Sequence, residues 1–311
     1  MRIVVTGGAG FIGYHLIEKL INKGFEIVVV DNLITGSLEN IKQYIDSKKI
    51  QFLEQDVQKF IEIEGEVDIV AHLASIASPK AYMEHPVNTL KSGSLGTLNS
   101  LGLAKAKGAK YLLTSTSEVY GDPLISPQTE DYWGNVNPVG PRSMYDESKR
   151  FAEAAASTYI NEFGLDVKIA RVFNTYGTRM KINDGRVVTN FVYQALTGND
   201  ITIYGDGTQT RSLSYVSDTV EYLVRLLNSD FQGVMNIGNP EEIQIIDLAK
   251  KIIEKTDSNS IIKFYDLPQD DPKKRKPDIT LAIKELGYKP LIQLDQGLDI
   301  LIPWVREKIN K

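Results

Sequence analysis

Cysteine is absent from the 311 residues. Disulfides, thiolate metal sites and cysteine nucleophiles are therefore excluded, and a reducing cytoplasm is the natural setting. Histidine is scarce, with His15, His72 and His85 too scattered for metal-ligand spacing, so no metal is expected. An excess of positive charge is also missing. Lys and Arg number 35 against 40 Asp and Glu, a net charge of −5, so no basic field points to nucleic acid. The one basic run, Lys273-Lys274-Arg275-Lys276, lies between acids and Pro277 and reads as a solvated loop. No apolar run approaches ~20 residues, so no membrane span is expected. Met1 and Arg2 lead straight into an apolar strand, which leaves no room for a signal peptide. Internal repeats and low-complexity segments are lacking. What is present is an ordinary globular composition, 42% hydrophobic and 24% charged, long enough for about two domains and a large core.

Strand and helix signals alternate along the first half. Short buried strands are expected at Ile3–Val5, Ile27–Val30, Gln51–Leu53, Val67–Leu73, Lys110–Ser115 and Asp166–Val172. Helical periodicity runs over Phe11–Lys23, Pro86–Lys107 and Ser143–Phe163, with Gly24 and Gly108 as stops. This alternation predicts an α/β fold with a doubly wound parallel sheet. Gly121–Arg142 has almost no periodicity, and irregular segments that long tend to be functional. Beyond Asn174 the elements shorten, with a helix over Ser217–Leu227 and, from Glu241, two amphipathic helices and short strands. The expected division is 1–173 plus about 212–237 for one domain, and 174–211 plus 238–311 for a smaller α/β domain that contributes a lid and a ligand surface.

Two motifs carry chemistry. Gly7-Gly8-Ala9-Gly10-Phe11-Ile12-Gly13 follows a strand and opens a helix, and Asp31 ends the next strand 18 residues beyond Gly13. That context marks a Rossmann-type dinucleotide site. The glycines let backbone approach a pyrophosphate seated on the helix N-terminus, and Asp31 accepts from ribose hydroxyls. Asn32 follows, with no Arg to pair a 2′-phosphate, which favours NAD over NADP. Asp56-Val57 and Leu73-Ala74-Ser75 end later strands, where open α/β sheets bind ligands. The second motif is Tyr145-x-x-x-Lys149, a phenol and an ammonium one helical turn apart. An ammonium lowers the phenol's pKa and suits it to take a proton from a sugar hydroxyl. Thr116-Ser117-Glu118 supplies three more polar side chains.

With these motifs, and with Arg171-Val172-Phe173-Asn174, the chain resembles the extended short-chain dehydrogenases/reductases that act on nucleotide sugars. Within them it is most similar to the UDP-glucuronate decarboxylase group. The specific stretches are Ser115–Pro123, Glu130–Arg142, Asn183–Val188 and Asp270–Asp278. The resemblance implies Tyr145 as base, Lys149 as its partner, Thr116 on the same sugar hydroxyl, and Ser117, Glu118 and Arg275 near the carbon that loses its carboxylate. It implies NAD contacts from Gly7, Gly10, Phe11, Ile12, Gly13, Asp31, Asn32, Thr35, Gly36, Asp56, Val57, Leu73, Ser75, Tyr145, Lys149 and Thr175. It places Lys91, Thr116, Asn174, Arg186, Tyr204, Arg211 and Arg275 on a UDP-sugar. A homodimer through the helices near Pro86–Lys107 and Glu147–Phe163 is implied as well.

One position discriminates among activities. Sugar 4,6-dehydratases resemble this chain but carry Asp where Ser117 stands, and that acid protonates a departing hydroxyl. Serine is not acidic enough for the task, so loss of CO2 is expected rather than loss of water. The rivals are a UDP-sugar 4-epimerase, a dTDP-glucose 4,6-dehydratase-like enzyme and a non-catalytic NAD sensor on the same fold; intact Thr116, Tyr145 and Lys149 argue against the last. The chain departs from the decarboxylase pattern at Ile76, Thr178, Ser37 and Glu39, which bears on loop rigidity and the nucleotide end.

Overall fold

The computed structural model describes residues 1–267, 272 and 274–310. Asp270, Asp271 and Lys273, part of the last stretch quoted above, lie outside the described residues. Seven parallel strands form the central sheet: β1 (Arg2–Thr6), β2 (Glu26–Asp31), β3 (Ile50–Glu54), β4 (Ile69–His72), β5 (Lys110–Thr116), β6 (Val167–Val172) and β7 (Gly233–Ile237). Their spatial order is β7-β6-β5-β4-β1-β2-β3. Chain order reverses between β1 and β4, and the strands' carboxyl ends open a crevice there.

Alternation along each strand splits the core in two. Ile3, Val5, Ile27 and Val29 face one side, with Leu16, Ile17 and Leu20 of α1 (Phe11–Asn22). Val4, Val28 and Val30 face the other. They share that layer with Leu101 and Ala104, and with Ala152 and Ala156 of α6 (Ser143–Phe163). The doubly wound parallel sheet expected from the strand–helix alternation is the one found.

The six expected strands hold to within a residue or two; β7 was not among them, and several helical features differ. A short helix, α3 (Pro79–Glu84), fills a stretch for which no element was expected; Ser78 caps it, its hydroxyl accepting from the Ala81 amide at 3.4 Å. The continuous helix expected over Pro86–Lys107 is instead α4 (Pro86–Lys91), a π-turn (Ser92–Gly96) and α5 (Thr97–Lys107). Helix α2 (Leu38–Asp46), on which only Ile41 is buried, was not expected. Later come α7 (Val187–Leu196), α8 (Val216–Leu227), α9 (Ile245–Thr256), α10 (Thr280–Leu286) and α11 (Leu294–Ile309). Among the described residues three helices thus follow Glu241, where two were expected.

Among the described residues, the remaining strands form three two-stranded pairs: Thr175–Tyr176 with Ser214–Tyr215, Thr210–Ser212 with Glu242–Gln244, and Ile201–Tyr204 with Ile262–Tyr265. The buried Asp218 on α8 anchors the C-terminal segment to the sheet layer. Its carboxylate accepts from the Tyr288 hydroxyl at 2.6 Å and from the amides of Leu291 and Ile292 at 3.1 and 2.9 Å.

Candidate active site

A single continuous cleft of about 1190 Å³ runs from the turn after β1, past the ends of β4 and β5, to the strands around Tyr204 and Arg211. At one end, Gly7 has φ +73°, and a Cβ there would lie 2.6 Å from the Ala74 amide nitrogen. Only glycine lets this turn nest against the end of β4. Gly10 caps α1, whose first amides lack partners within the helix and face the cleft wall formed by Gly10, Phe11, Ile12 and Gly13.

Asp31 closes β2 at the same end. Its carboxylate accepts from the amides of Ala9 at 3.0 Å and Leu33 at 2.9 Å. Burial still raises its pKa, with those two bonds pulling it back. A carboxylate has further lone pairs for ribose hydroxyls. The Asn32 side chain accepts from the Ile34 amide at 3.2 Å, and Ser37 and Asn40 both donate to the Ala9 carbonyl. These bonds fold residues 32–37 over the glycine turn, with Thr35 and Gly36 on the cleft wall. The turn, the helix amides and the acid together fit a dinucleotide.

In the middle of the cleft, α6 presents Tyr145 and Lys149 beside Thr116 at the end of β5. Lys149 is buried and donates to the Thr114 carbonyl at 2.8 Å. Burial lowers its pKa to about 8, with Glu153 one turn on opposing the shift. Tyr145 behaves differently from the expectation. Its pKa is raised to about 12, chiefly by burial; Thr116, hydrogen-bonded to the phenol, pulls the other way. Lys149 spends a donor on the strand carbonyl, and desolvation of the phenol outweighs its neighbours. Tyr82 of α3 stacks on Tyr145, centroids 5.3 Å apart and planes within 10°. Tyr82 was missed from sequence, because its six-residue helix is too short to carry a periodic signal.

Beyond Tyr145 lies a cluster of charges. Glu118 pairs with Arg275 and, at 2.7 Å, with Arg142. Arg275 also donates to the Ser117 hydroxyl at 3.3 Å and the Gly121 carbonyl at 3.0 Å. Burial alone would raise the Glu118 pKa, but the two guanidinium groups win and hold it at about 2. Asp146, next to Tyr145, is pushed up to about 7 by burial and then by the Glu118 charge. Arg142 and Asp146 were missed from sequence; Arg142 ends the irregular loop, and only tertiary contact shows what it meets.

The other sequence candidates sort as follows. Val57, Leu73, Ser75, Asn174, Thr175, Arg186, Tyr204 and Arg211 line the cleft. The Thr175 hydroxyl bonds to the Phe173 carbonyl and to Thr219 at 3.0 Å each. Asp56 and Lys91 are not on the wall. The Asp56 carboxylate accepts from the Gln58 amide at 2.8 Å and so caps its own turn. Lys91 is exposed on α4, one residue before the π-turn that carries Ser92 to the cleft. His72 is buried between Thr6 and Thr97, and burial lowers its pKa to about 3. Among the described residues no cluster of His, Asp and Glu could hold a metal ion.

Comparison with known proteins gives this cleft its context. The model of the NAD dependent epimerase/dehydratase family matches residues 3–238. UDP-glucuronic acid decarboxylase 1 of Danio rerio is 50% identical over 309 residues, 99% of this chain and 73% of that one. UDP-glucuronic acid decarboxylase 6 of Arabidopsis thaliana is 52% identical over 302 residues, 97% of this chain and 88% of that one. Among solved structures, UDP-glucuronic acid 4-epimerase from Bacillus cereus, in complex with UDP-glucuronic acid and NAD, superposes with a TM-score of 0.88. It is 27% identical, and the match covers 99% of this chain and 100% of that one. The chain therefore belongs to the NAD dependent epimerase/dehydratase family, within the extended short-chain dehydrogenases/reductases, alongside proteins named UDP-glucuronic acid decarboxylase.

Proposed function

We propose that this chain is an NAD-dependent UDP-glucuronate decarboxylase that forms UDP-xylose. The observation that carries the reading is the pairing of Ser117 and Glu118 with Arg275 beside Tyr145 and Thr116 in one cleft. A serine with a guanidinium stands where a dehydratase needs an acid. The relatives at about half identity bear the same activity in their names.

Gly7 to Gly13, Asp31, Asn32, Thr35, Gly36 and the ends of β3 and β4 hold the cofactor in this reading, and Asn174, Arg186, Tyr204 and Arg211 hold the UDP. β7 completing the sheet supports a division into a cofactor part, 1–173 plus about 212–237, and a nucleotide-sugar part, 174–211 plus 238–311. Bound NAD would supply a hydride acceptor for oxidation at C4 of the sugar and a hydride donor for its re-reduction. Tyr145 takes the 4-hydroxyl proton, with Thr116 on the same oxygen. Lys149 adds positive charge near the phenolate. Once C4 is a ketone, the C5 carboxylate is β to it, and CO2 leaves with the C5–carboxylate bonding electrons held as an enolate; a proton added at C5 restores the 4-ketone, whose reduction at C4 gives UDP-xylose. Arg275 and Ser117 steady the carboxylate end. Glu118, ionised at neutral pH, holds Arg275 and Arg142 rather than donating a proton.

A homodimer and a cytoplasmic location belong to the same proposal. Val87, Leu90, Leu95 and Leu98 recur at helical spacing along α4, the π-turn and α5, and Phe151 is exposed on the neighbouring α6. Among the described residues no helix is long and apolar enough to cross a membrane. Incubation with UDP-glucuronate and NAD+, followed by mass spectrometry, is expected to show CO2 and UDP-xylose. Tyr145→Phe should keep NAD bound and release none. UDP-galacturonate without CO2 would replace the decarboxylase reading with a 4-epimerase.

A further inference from the structure

We propose that Gln128, backed by Asn236, is the positioning residue that latches Arg275 into the cleft. The inference rests on the decarboxylase reading for what Arg275 touches, but not for where it is held. Among the described residues, the segment carrying Arg275 forms no helix, and beyond one isolated bridge at Pro277 it pairs with no strand. Its backbone is held chiefly by one residue. The Gln128 amide donates to the Lys276 carbonyl at 2.8 Å, the Gln128 side-chain oxygen accepts from the Lys276 amide at 2.8 Å, and the Gln128 carbonyl accepts from the Asp278 amide at 2.8 Å. The Gln128 side-chain nitrogen is satisfied by the Ile125 carbonyl at 2.6 Å. Every polar atom of this fully buried side chain is therefore engaged.

Asn236 of β7 locks the pair from below. Its side-chain nitrogen bridges the carbonyls of Gln128 at 3.0 Å and Asp278 at 3.2 Å, and its oxygen accepts from the Tyr120 hydroxyl at 2.8 Å. Gln128 sits on the irregular loop that also supplies Gly121, whose carbonyl accepts from Arg275. One loop thus fixes both the backbone of the Arg275 segment and the direction of its guanidinium. Among the described residues the backbone of Arg275 itself makes one bond, its carbonyl accepting from Ser212 at 3.3 Å, so its position follows from the latch on its neighbours Lys276 and Asp278.

The test is a double-mutant cycle. Gln128→Leu keeps the volume and removes the acceptor for the Lys276 amide. In the full-length holoenzyme it is expected to cut kcat/KM for UDP-glucuronate decarboxylation on the order of 10²-fold, the scale of a misplacement of about 1 Å. NAD content should stay unchanged. In an Arg275→Ala background the same change should cost less than about twofold, because its effect runs through Arg275. Equal losses in both backgrounds, or wild-type turnover by Gln128→Leu, would overturn the latch. If Gln128→Leu does not fold, Asn236→Ala in the same cycle decides in the same way. Should the wild-type enzyme release no CO2, the functional reading fails alone; the cycle is then scored as UDP-glucuronate affinity by calorimetry and still decides the latch.

Discussion

Lys149 shows how a single residue trades stability for chemistry. Its ammonium is buried against the Thr114 carbonyl, and its pKa falls from 10.5 to about 8. That difference amounts to roughly 3 kcal/mol against the charged form. Between pH 8 and 10.5 the unfolded chain binds the proton that the folded one has lost, so stability rises with pH through that window. Below pH 8 both states are protonated and the full cost is present. In cofactor-free protein, Lys149→Met is expected to be more stable than wild type by about 1–3 kcal/mol at pH 7. The gain should shrink as pH climbs from 8 to 10.5, and turnover should be lost. Urea unfolding at several pH values checks this; a variant less stable than wild type at pH 7 refutes the assignment of burial as the dominant cause.

At the scale of elements, the π-turn between α4 and α5 sets the place of α6. A Cβ on Gly93 would lie 2.5 Å from the Ser148 hydroxyl, and that hydroxyl donates to the Tyr145 carbonyl at 2.8 Å. The π-turn therefore touches the helix within one turn of both reacting side chains, in keeping with the frequent siting of such turns at functional places. Gly93→Ala is expected to cost about 1–3 kcal/mol of stability from overpacking and to lower kcat more than it raises KM. Steady-state kinetics with thermal unfolding reads both. An unchanged kcat in a destabilised variant would make the contact merely structural.

For the whole molecule, the same helices carry an apolar surface that a lone chain exposes. Leu90, Leu95 and Phe151 are 44%, 45% and 43% accessible, and exposed apolar groups concentrated on one face mark contact surfaces. A second copy covering them would put its helices directly behind the Gly93 contact. Light scattering is expected to give twice the chain mass of 34.7 kDa. Leu95→Lys should shift it toward the monomer. A wild-type chain that stays monomeric at micromolar concentration removes this prediction and leaves the cleft chemistry intact.

The sequence by itself determined the doubly wound sheet, the glycine turn, Asp31 and the Tyr145–Lys149 pair. Each rests on local spacing: a period of two or 3.6, a turn between strand and helix, or four residues along one helix. Ser117 argues against loss of water through the resemblance to the sugar dehydratases, which carry Asp at that place, and not through spacing. Tertiary structure alone decided what depends on groups far apart in the chain. It put Arg275 and Arg142 on the Glu118 carboxylate and stacked Tyr82 on Tyr145. It turned Lys149 toward a strand carbonyl, and it left Lys91 and Asp56 off the cleft wall. Burial sets these outcomes, because desolvation and ion pairing act through space. No spacing rule carries them, which is why Gln128, 148 residues from the Lys276 amide it accepts from, has no signature in the sequence.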